Sequence, residues 1–461
     1  MNLPNYFLAD LPAEATLTAA MVSDACQTLK RNREKYLIAR STQALMEILC
    51  GVAENWLQPE YPFRKLALES GPASTGFSRG TLAKGLDNFF KQFTPENFNA
   101  LLIQELGHAR RLDEIVSNPA EEKQSRGAIA KGPELLAHIA AGNIPNPTLM
   151  SIALGVLTRS AQFVKCASGA AFLPRLFAHS LYEAEPKLGA CLEIATWRGG
   201  HTDVEKALFE EADCVTATGS DEALAAIRHH VPARVRFLGY GHRLSFAYIA
   251  SEALSAYQAK KTVPRAAADV VAWNQLGCLS PHVIYVEHGG GVAAEQFAEM
   301  LAEELARLEQ TEPRGEVPAE TAAAIASRRA FYEVRAAHSP ETRYEDYSVT
   351  RFWRSVNSTA WTVVYEEDAR FQLSCLNRFI YVKGVSDLTK ALENADSVHG
   401  KVSTVGVAAS EEKAQDFAKQ LAAWGVTRVC PLGQMQNPPL TWRHDGRPAL
   451  GDLVTWVDWE K

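Results

Sequence analysis

The stretch VVAWNQLGCLSP, Val270 to Pro281, sets one thiol, Cys278, in a polar-flanked turn between two apolar segments. Gly277 removes a side chain just before it, and Ser280 and Pro281 mark a turn or a helix end after it. A thiolate attacks acyl carbonyls, and ionising an ordinary thiol at pH 7 costs about 2 kcal/mol. Backbone N–H groups at a helix end would supply that much help. The alternative is a packing cysteine, buried as a small hydrophobe. An attacked carbonyl becomes an oxyanion, and each donor that meets it is worth roughly 3–4 kcal/mol. The side-chain amide of Asn143, in the loop HIAAGNIPNP, and the backbone N–H of Cys278 would make such a pair. Asn143 could equally shape its loop as an Asx-turn. Lys165 ends the apolar run AQFVKC, and the carboxyl end of a parallel strand faces the ligand crevice in open α/β sheets. A solvated lysine is the other reading. Thr218, Gly219 and Ser220, in TATGSDEAL, stand where a strand gives way to a helix. That position suits a phosphate on helix N–H groups, or an ordinary N-cap.

These residues need elements to place them. Helical spacing of apolar residues runs from about Thr16 to Trp56, and again around Asn88 to Leu106. Between them, LQPEYPFRKLALESGPASTGFSRG reads as a Pro/Gly-rich interval. After Pro133 the pattern changes. TLMSIALGVLTRS reads as a buried helix, and AQFVKC, CLEIATW, DCVTATG and RVRFLG as strands with helices between them. Such alternation predicts βαβ units and a parallel sheet. From Ser245 the rhythm restarts: SFAYIASEALSAYQ and AAADVVAWNQ read as helices and HVIYVE as a strand. Two amphipathic helices follow, then HSPETRYEDYS as a loop, then the strands WTVVYEE, RFIYVKG, VSTVGVA and VTRVCPL. The expected division is a mainly helical region over residues 1–130 belonging to the cofactor domain, an α/β domain over 131–250, a second α/β domain over 251–436 carrying Cys278, and a tail over 437–461 that packs back on the rest.

Bulk properties narrow the function. The chain has 461 residues, 47% hydrophobic and 22% charged, which is ordinary globular composition with room for two or three domains. A net charge of -7 without a basic stripe argues against nucleic acid. No apolar run is long enough for a membrane span. The N-terminal MNLPNYFLADLPAEATL lacks a basic flank followed by an apolar core, so it does not read as a signal peptide, and a cytoplasmic location is expected. Eight scattered cysteines, without a CxxC pair or close Cys/His spacing, read as reduced thiols rather than zinc ligands. EHGGGVAA is followed by no GKS or GKT, and the chain has no GxSxG elbow. His444 and Asp445, in WRHDGR, could polarise each other but have no third ligand nearby, so no metal is expected.

The succession AGNIPNP, FVKCASG, TATGSDEA, FLGYGHRLSF and NQLGCLSP resembles the aldehyde dehydrogenase superfamily. Within it, NQLGCLSPHVIYVE and the tail RVCPLGQMQNPPLTWRHDGRPALGDLVTWVDWE are similar to the LuxC-type long-chain acyl-CoA reductases of bacterial bioluminescence. The likeness runs from about Gly132 to the end. It implies an aldehyde-dehydrogenase-like fold: two Rossmann-like α/β domains, a helical N-terminal region and a C-terminal tail packing back. The implied activity is NADPH-dependent reduction of a fatty acyl thioester, acyl-CoA or acyl-protein, to an aldehyde through an acyl-enzyme, with coenzyme A as leaving group. An acyl-phosphate reductase, an aldehyde dehydrogenase of the same superfamily and a non-catalytic acyl-carrier subunit are the alternatives. An acyl-activating partner enzyme and a homo-oligomer are also implied.

Position by position, the resemblance makes Cys278 the catalytic cysteine and Asn143 the oxyanion-hole asparagine. Lys165 would hold the adenosine ribose. Thr218, Gly219 and Ser220 form the turn against the cofactor phosphates. Ser168 replaces a glutamate that NAD-preferring relatives often carry, and would tolerate a 2′-phosphate; this favours NADPH. Hydrolytic relatives carry a glutamate as base for water where this chain has about Leu238. Losing that base suits an enzyme whose thioester must not meet water. His242 is the implied proton donor or relay, or a cofactor contact. A Glu-x-Phe-Gly-Pro string of the superfamily has no counterpart near EEDARFQLS.

Overall fold

The computed structural model describes residues 3–12, 14–339 and 349–460. It divides into two compact units: Met1–Thr75, Leu86–His242 and Pro439–Lys461 make the first, and Gly76–Gly85 with Arg243–Pro438 the second. Residues 340–348, most of the expected loop HSPETRYEDYS, lie outside the described residues.

The N-terminal helical stretch is two helices, Ala19–Tyr36 and Thr42–Leu57. The break comes where Ser41 caps the second helix, its hydroxyl accepting from the Ala44 N–H. The expected Pro/Gly-rich interval contains a helix instead, Pro62–Thr75. Pro62 sits in the first turn, where a missing N–H costs nothing. Phe63, Arg64, Ala67, Leu68 and Gly71 are its buried residues, a helical period that the prolines mask in the sequence.

In the first unit, β1 is Arg126–Lys131, β2 Leu135–Ile139, β3 Ala161–Cys166, β4 Leu192–Thr196, β5 Cys214–Thr218 and β6 Arg236–Tyr240. The last five form a parallel sheet ordered β4-β3-β2-β5-β6. The central strand β2, LLAHI, is absent from the sequence reading, which placed its last two residues in a loop. All five of its residues are buried, so it shows no alternation to read. His138 within it bonds Thr216 Oγ1 at 2.7 Å and Gln162 Oε1 at 3.0 Å. Burial lowers its pKa to about 4. The order of strand addition reverses at β2, so the switch point, where open α/β sheets bind ligands, lies between β2 and β5.

In the second unit, β7 is Leu244–Ile249, β8 Val283–Glu287, β9 Thr350–Arg354, β10 Thr362–Glu366, β11 Phe379–Val385, β12 Val402–Ala408 and β13 Arg428–Pro431. They form one sheet ordered β13-β12-β7-β8-β11-β10-β9, parallel except for β9 against β10. The expected helix over SFAYIASEALSAYQ is therefore corrected. It is strand β7, a short 3-10 turn Ser251–Leu254 and the start of the helix Ala256–Val271. All six residues of β7 are buried, and a short continuous apolar run does not distinguish strand from helix by period. With β7 in the second sheet, that unit begins at Arg243 rather than at residue 251, and it takes in Gly76–Gly85 from the helical region.

The tail packs back on the first unit. Its last strand, β14 (Thr455–Glu460), pairs antiparallel with β1. Glu105 accepts from the N–H groups of Ala449, Leu450 and Gly451 at 3.0, 2.6 and 2.9 Å. At the other end of the chain, the N–H of Leu8 donates to Glu193 at 2.6 Å. Burial pushes the Glu193 carboxyl up to about 8 against the pull of the Leu8 and Ile194 N–H groups.

Two outcomes follow. Removing the Glu105 carboxylate (Glu105→Ala) leaves three N–H groups of the tail without their acceptor and should cost about 2 kcal/mol in urea titration, with faster tryptic cleavage after Arg443. The folded chain holds a proton on Glu193 that the unfolded chain releases near about pH 4.3. Glu193 therefore subtracts stability as pH rises from there to about 8. Glu193→Gln removes that slope, so its urea midpoint should fall less than the wild type's between about pH 5 and 8.

Candidate active site

The Cys278 turn lies wholly within the second unit. The helix expected to reach Gln275 ends at Val271. Trp273, Asn274 and Gln275 then follow with φ of 48, 52 and 65°. Three successive non-glycine residues in the left-handed region are uncommon, and their side chains hold them there. The Trp273 indole fills the space over Gly85, where an added Cβ would come within 2.1 Å of it. It meets Phe77 edge-on at 5.1 Å. Asn274 Nδ2 donates to Arg314 O at 2.7 Å. Gln275 Nε2 donates to Pro281 O at 2.7 Å and Phe379 O at 3.0 Å. Gly277 lies flat against Gln436, whose Nε2 would be 2.4 Å from a Cβ there and donates to Ser280 Oγ at 2.6 Å. The carbonyl of Cys278 accepts from Ser245 Oγ at 2.8 Å.

The result is one presented thiol. Cys278 is exposed, Cys375 is half-buried, and the other six cysteines are buried. Burial pushes the thiols of Cys26, Cys166, Cys191 and Cys214 up to about 12, and those of Cys50 and Cys430 to about 11. Arg428 donates to Met435 O at 2.6 Å and Gln434 O at 2.8 Å. Burial lowers its pKa, while Cys430, Asp269 and Cys278 pull it back up, so Arg428 and the Cys278 sulfur interact electrostatically.

The other expected residues belong to the first unit, in loops at the carboxyl edge of its parallel sheet. Asn143 is exposed in the bend after β2. Lys165, at the end of β3, is only 7% exposed, so it is not a solvated lysine. Its Nζ lies 5.8 Å from the Trp197 ring centroid. Burial lowers its pKa and Glu205 opposes the shift. Ser168 is exposed in the turn that follows. Thr218 and Gly219 are half-buried at the end of β5. Ser220 caps the helix Asp221–His230, its Oγ accepting from the Ala223 N–H at 3.2 Å. A Cβ on Gly219 would meet only Ala223 Cβ, at 3.5 Å, so the backbone is approachable there. The Glu222 carboxylate rests on its own N–H and on Ser220, which lowers its pKa.

His242 is exposed, and its N–H donates to Asp221 Oδ1 at 3.3 Å. Leu238, the position of the absent base, is buried on β6. The sequence reading missed what holds this loop. The His444 ring stacks on Tyr240 at 4.5 Å and 13°. Arg447 covers the same ring at 4.5 Å and donates to Gly239 O at 2.8 Å. It also missed Ser245, Asn274 and Gln436 as supports of Cys278, because nothing in local spacing links them to the thiol. Among the described residues no group of three or more His, Cys, Asp or Glu side chains could hold a metal ion, and no helix is long and apolar enough to cross a membrane.

The sequence profile of the acyl-CoA reductase (LuxC) family matches residues 37–456. The chain belongs to that family. The match reaches well upstream of Gly132, into the helical region. A long-chain acyl-protein thioester reductase from Photorhabdus laumondii is 23% identical over 423 residues, covering 90% of this chain and 82% of that one. The enzyme of the same name from Vibrio harveyi is 22% identical over 434 residues, covering 92% and 84%. Among solved structures, PnpE from Pseudomonas sp. WBC-3 superposes with a TM-score of 0.70 at 13% identity, covering 97% of this chain and 91% of that one. The glyceraldehyde-3-phosphate dehydrogenase GapN from Methanocaldococcus jannaschii, complexed with NADP, gives 0.67 at 14% identity over the whole of both chains. The fold of this LuxC-family chain is that of the aldehyde dehydrogenases.

Iodoacetamide should alkylate Cys278 first among the eight thiols of the native protein, as read by peptide mass mapping over time. Early modification of Cys26, Cys166 or Cys214 would contradict the burial described for them.

Proposed function

We propose that this LuxC-family chain reduces a fatty acyl thioester to its aldehyde with NADPH, through an acyl group carried on Cys278. The observation that supports it most is the single exposed thiol, held three residues beyond a left-handed run in a member of an acyl-CoA reductase family. In this reading the Cys278 thiolate attacks the acyl carbonyl. A new C–S bond forms, and the bond to the donor sulfur breaks. Coenzyme A or a protein thiol leaves as a thiolate of similar basicity, so the exchange costs little. The side-chain amide of Asn143 and the Cys278 N–H are assigned to the oxyanion.

Bound reduced nicotinamide would supply the hydride. Lys165 would hold its ribose, Ser168 would accommodate a 2′-phosphate, and Thr218, Gly219 and Ser220 would lie against the pyrophosphate. The buried Lys165 cation and the approachable Gly219 backbone fit such a ligand. Cys278 then carries a thiohemiacetal; its C–S bond breaks, aldehyde leaves and the thiolate returns. His242 is assigned to proton relay. With leucine at position 238, β6 offers no base there to draw water onto the thioester. The names of the relatives favour an acyl-protein as donor alongside acyl-CoA. An acyl-activating partner enzyme, a homo-oligomer and a cytoplasmic location complete the reading.

Intact mass spectrometry after mixing with a series of acyl-CoA thioesters should show one acyl adduct, absent in Cys278→Ala and discharged as aldehyde when NADPH is added. Turnover that survives in Cys278→Ala overturns the proposal. A carboxylate at position 168 should repel the 2′-phosphate, so Ser168→Glu should move the ratio of kcat/KM for NADPH over NADH down by about tenfold or more.

A further inference from the structure

A second left-handed run stands against the first. Leu376, Asn377 and Arg378, with φ of 57, 55 and 65°, precede β11 as Trp273, Asn274 and Gln275 precede Cys278. Neither run contains glycine, the residue that adopts this conformation without steric cost. They are joined at two places. Arg378 Nε donates to Asn274 Oδ1 at 3.2 Å, and Gln275 Nε2 donates to the carbonyl of Phe379 at 3.0 Å. The Arg378 side chain is wholly buried. Its Nη1 donates to Glu309 Oε2 and to Glu312 O, each at 2.8 Å. Asn274 is tied on its other side to Arg314 O. A planar, buried guanidinium anchored at three points holds the run whose last residue, Gln275, stands three before the thiol. No step of the reduction uses Arg378 or Asn274.

We propose that Arg378 and Asn274 are positioning residues for Cys278. Their hydrogen bond keeps residues 273–275 left-handed and so aims the sulfur. The inference rests on the reading of Cys278 as the nucleophile. Released from Arg378, the first run relaxes toward right-handed backbone and turns the thiol out of line. A merely structural pair would change stability and leave the reactivity of the folded protein alone.

The test uses the full-length protein, Arg378→Lys, Asn274→Gly and the double variant. Arg378→Lys keeps the charge and loses the fork; Asn274→Gly accepts positive φ freely and loses the acceptor. Near-ultraviolet circular dichroism selects folded samples. The rate of Cys278 alkylation by iodoacetamide is followed from about pH 6 to 9, where thiols titrate, beside kcat and the KM for NADPH. Each single variant should lower the alkylation rate and kcat about tenfold with the KM for NADPH unchanged, and the double variant should be no worse than either, as coupled residues behave. Folded variants that alkylate at the wild-type rate overturn the proposal, and so do effects that simply multiply in the double variant. If Arg378→Lys does not fold, Asn274→Gly decides alone. Alkylation needs neither acyl donor nor nicotinamide. A wild type that alkylates readily but reduces no thioester thus sinks the reductase reading, while the variants still decide the positioning.

Discussion

Parallel strands covered on both faces govern each unit of this chain. Adjacent parallel strands need a crossover between them, so every loop that leaves a strand's carboxyl end emerges on one edge. In the first unit that edge gathers Asn143, Lys165, Ser168, Thr218 and His242 from segments spread over a hundred residues of sequence. They share that edge because the strands run one way, not because any local motif links them. Lys165 shows the energetic side of the arrangement. Its ammonium is buried at the end of β3 against an indole face, with Glu205 offsetting part of the lost hydration.

Selectivity among the eight thiols comes from burial more than from any special chemistry of sulfur. Six are packed where ionisation is suppressed. Cys278 is carried outward on a backbone that no sequence of L-residues adopts cheaply, and the indole of Trp273 and the amides of Asn274 and Gln275 offset that cost. The glycine before the thiol serves a different end. Gly277 is needed because the Gln436 amide lies against it, not for its φ. Stored backbone strain beside a reactive atom is a recurring feature of functional sites, and here the contacts that over-determine it can be named.

Much of this was legible in the sequence, and the limits have physical causes. The cysteine turn, the strand-to-helix turn at Thr218 and the alternation after Pro133 announce themselves through glycine, proline and capping residues. The central strands β2 and β7 do not. LLAHI and LSFAYI are buried on both sides and carry no period, so nothing in their pattern marks either as a strand. The helix Pro62–Thr75 was hidden by prolines that sit where a helix tolerates them or near its end. Ser245, Gln436 and Arg378 support the thiol from distant strands and loops, and distance along the chain leaves no local trace of such a role.

The first unit is interrupted. Its five-stranded sheet is complete by Tyr240, yet the partner of β1 and the His444 ring and Arg447 that cover Tyr240 come only from residues 439–461. During synthesis the second unit, nearly continuous in sequence, leaves the ribosome before those residues exist. The first unit is therefore completed only after the second, when residues 439–461 are made. A chain cut before Pro439 would keep every residue of the unit that holds Cys278 and leave the other without β14 and without the His444 and Arg447 cover on Tyr240.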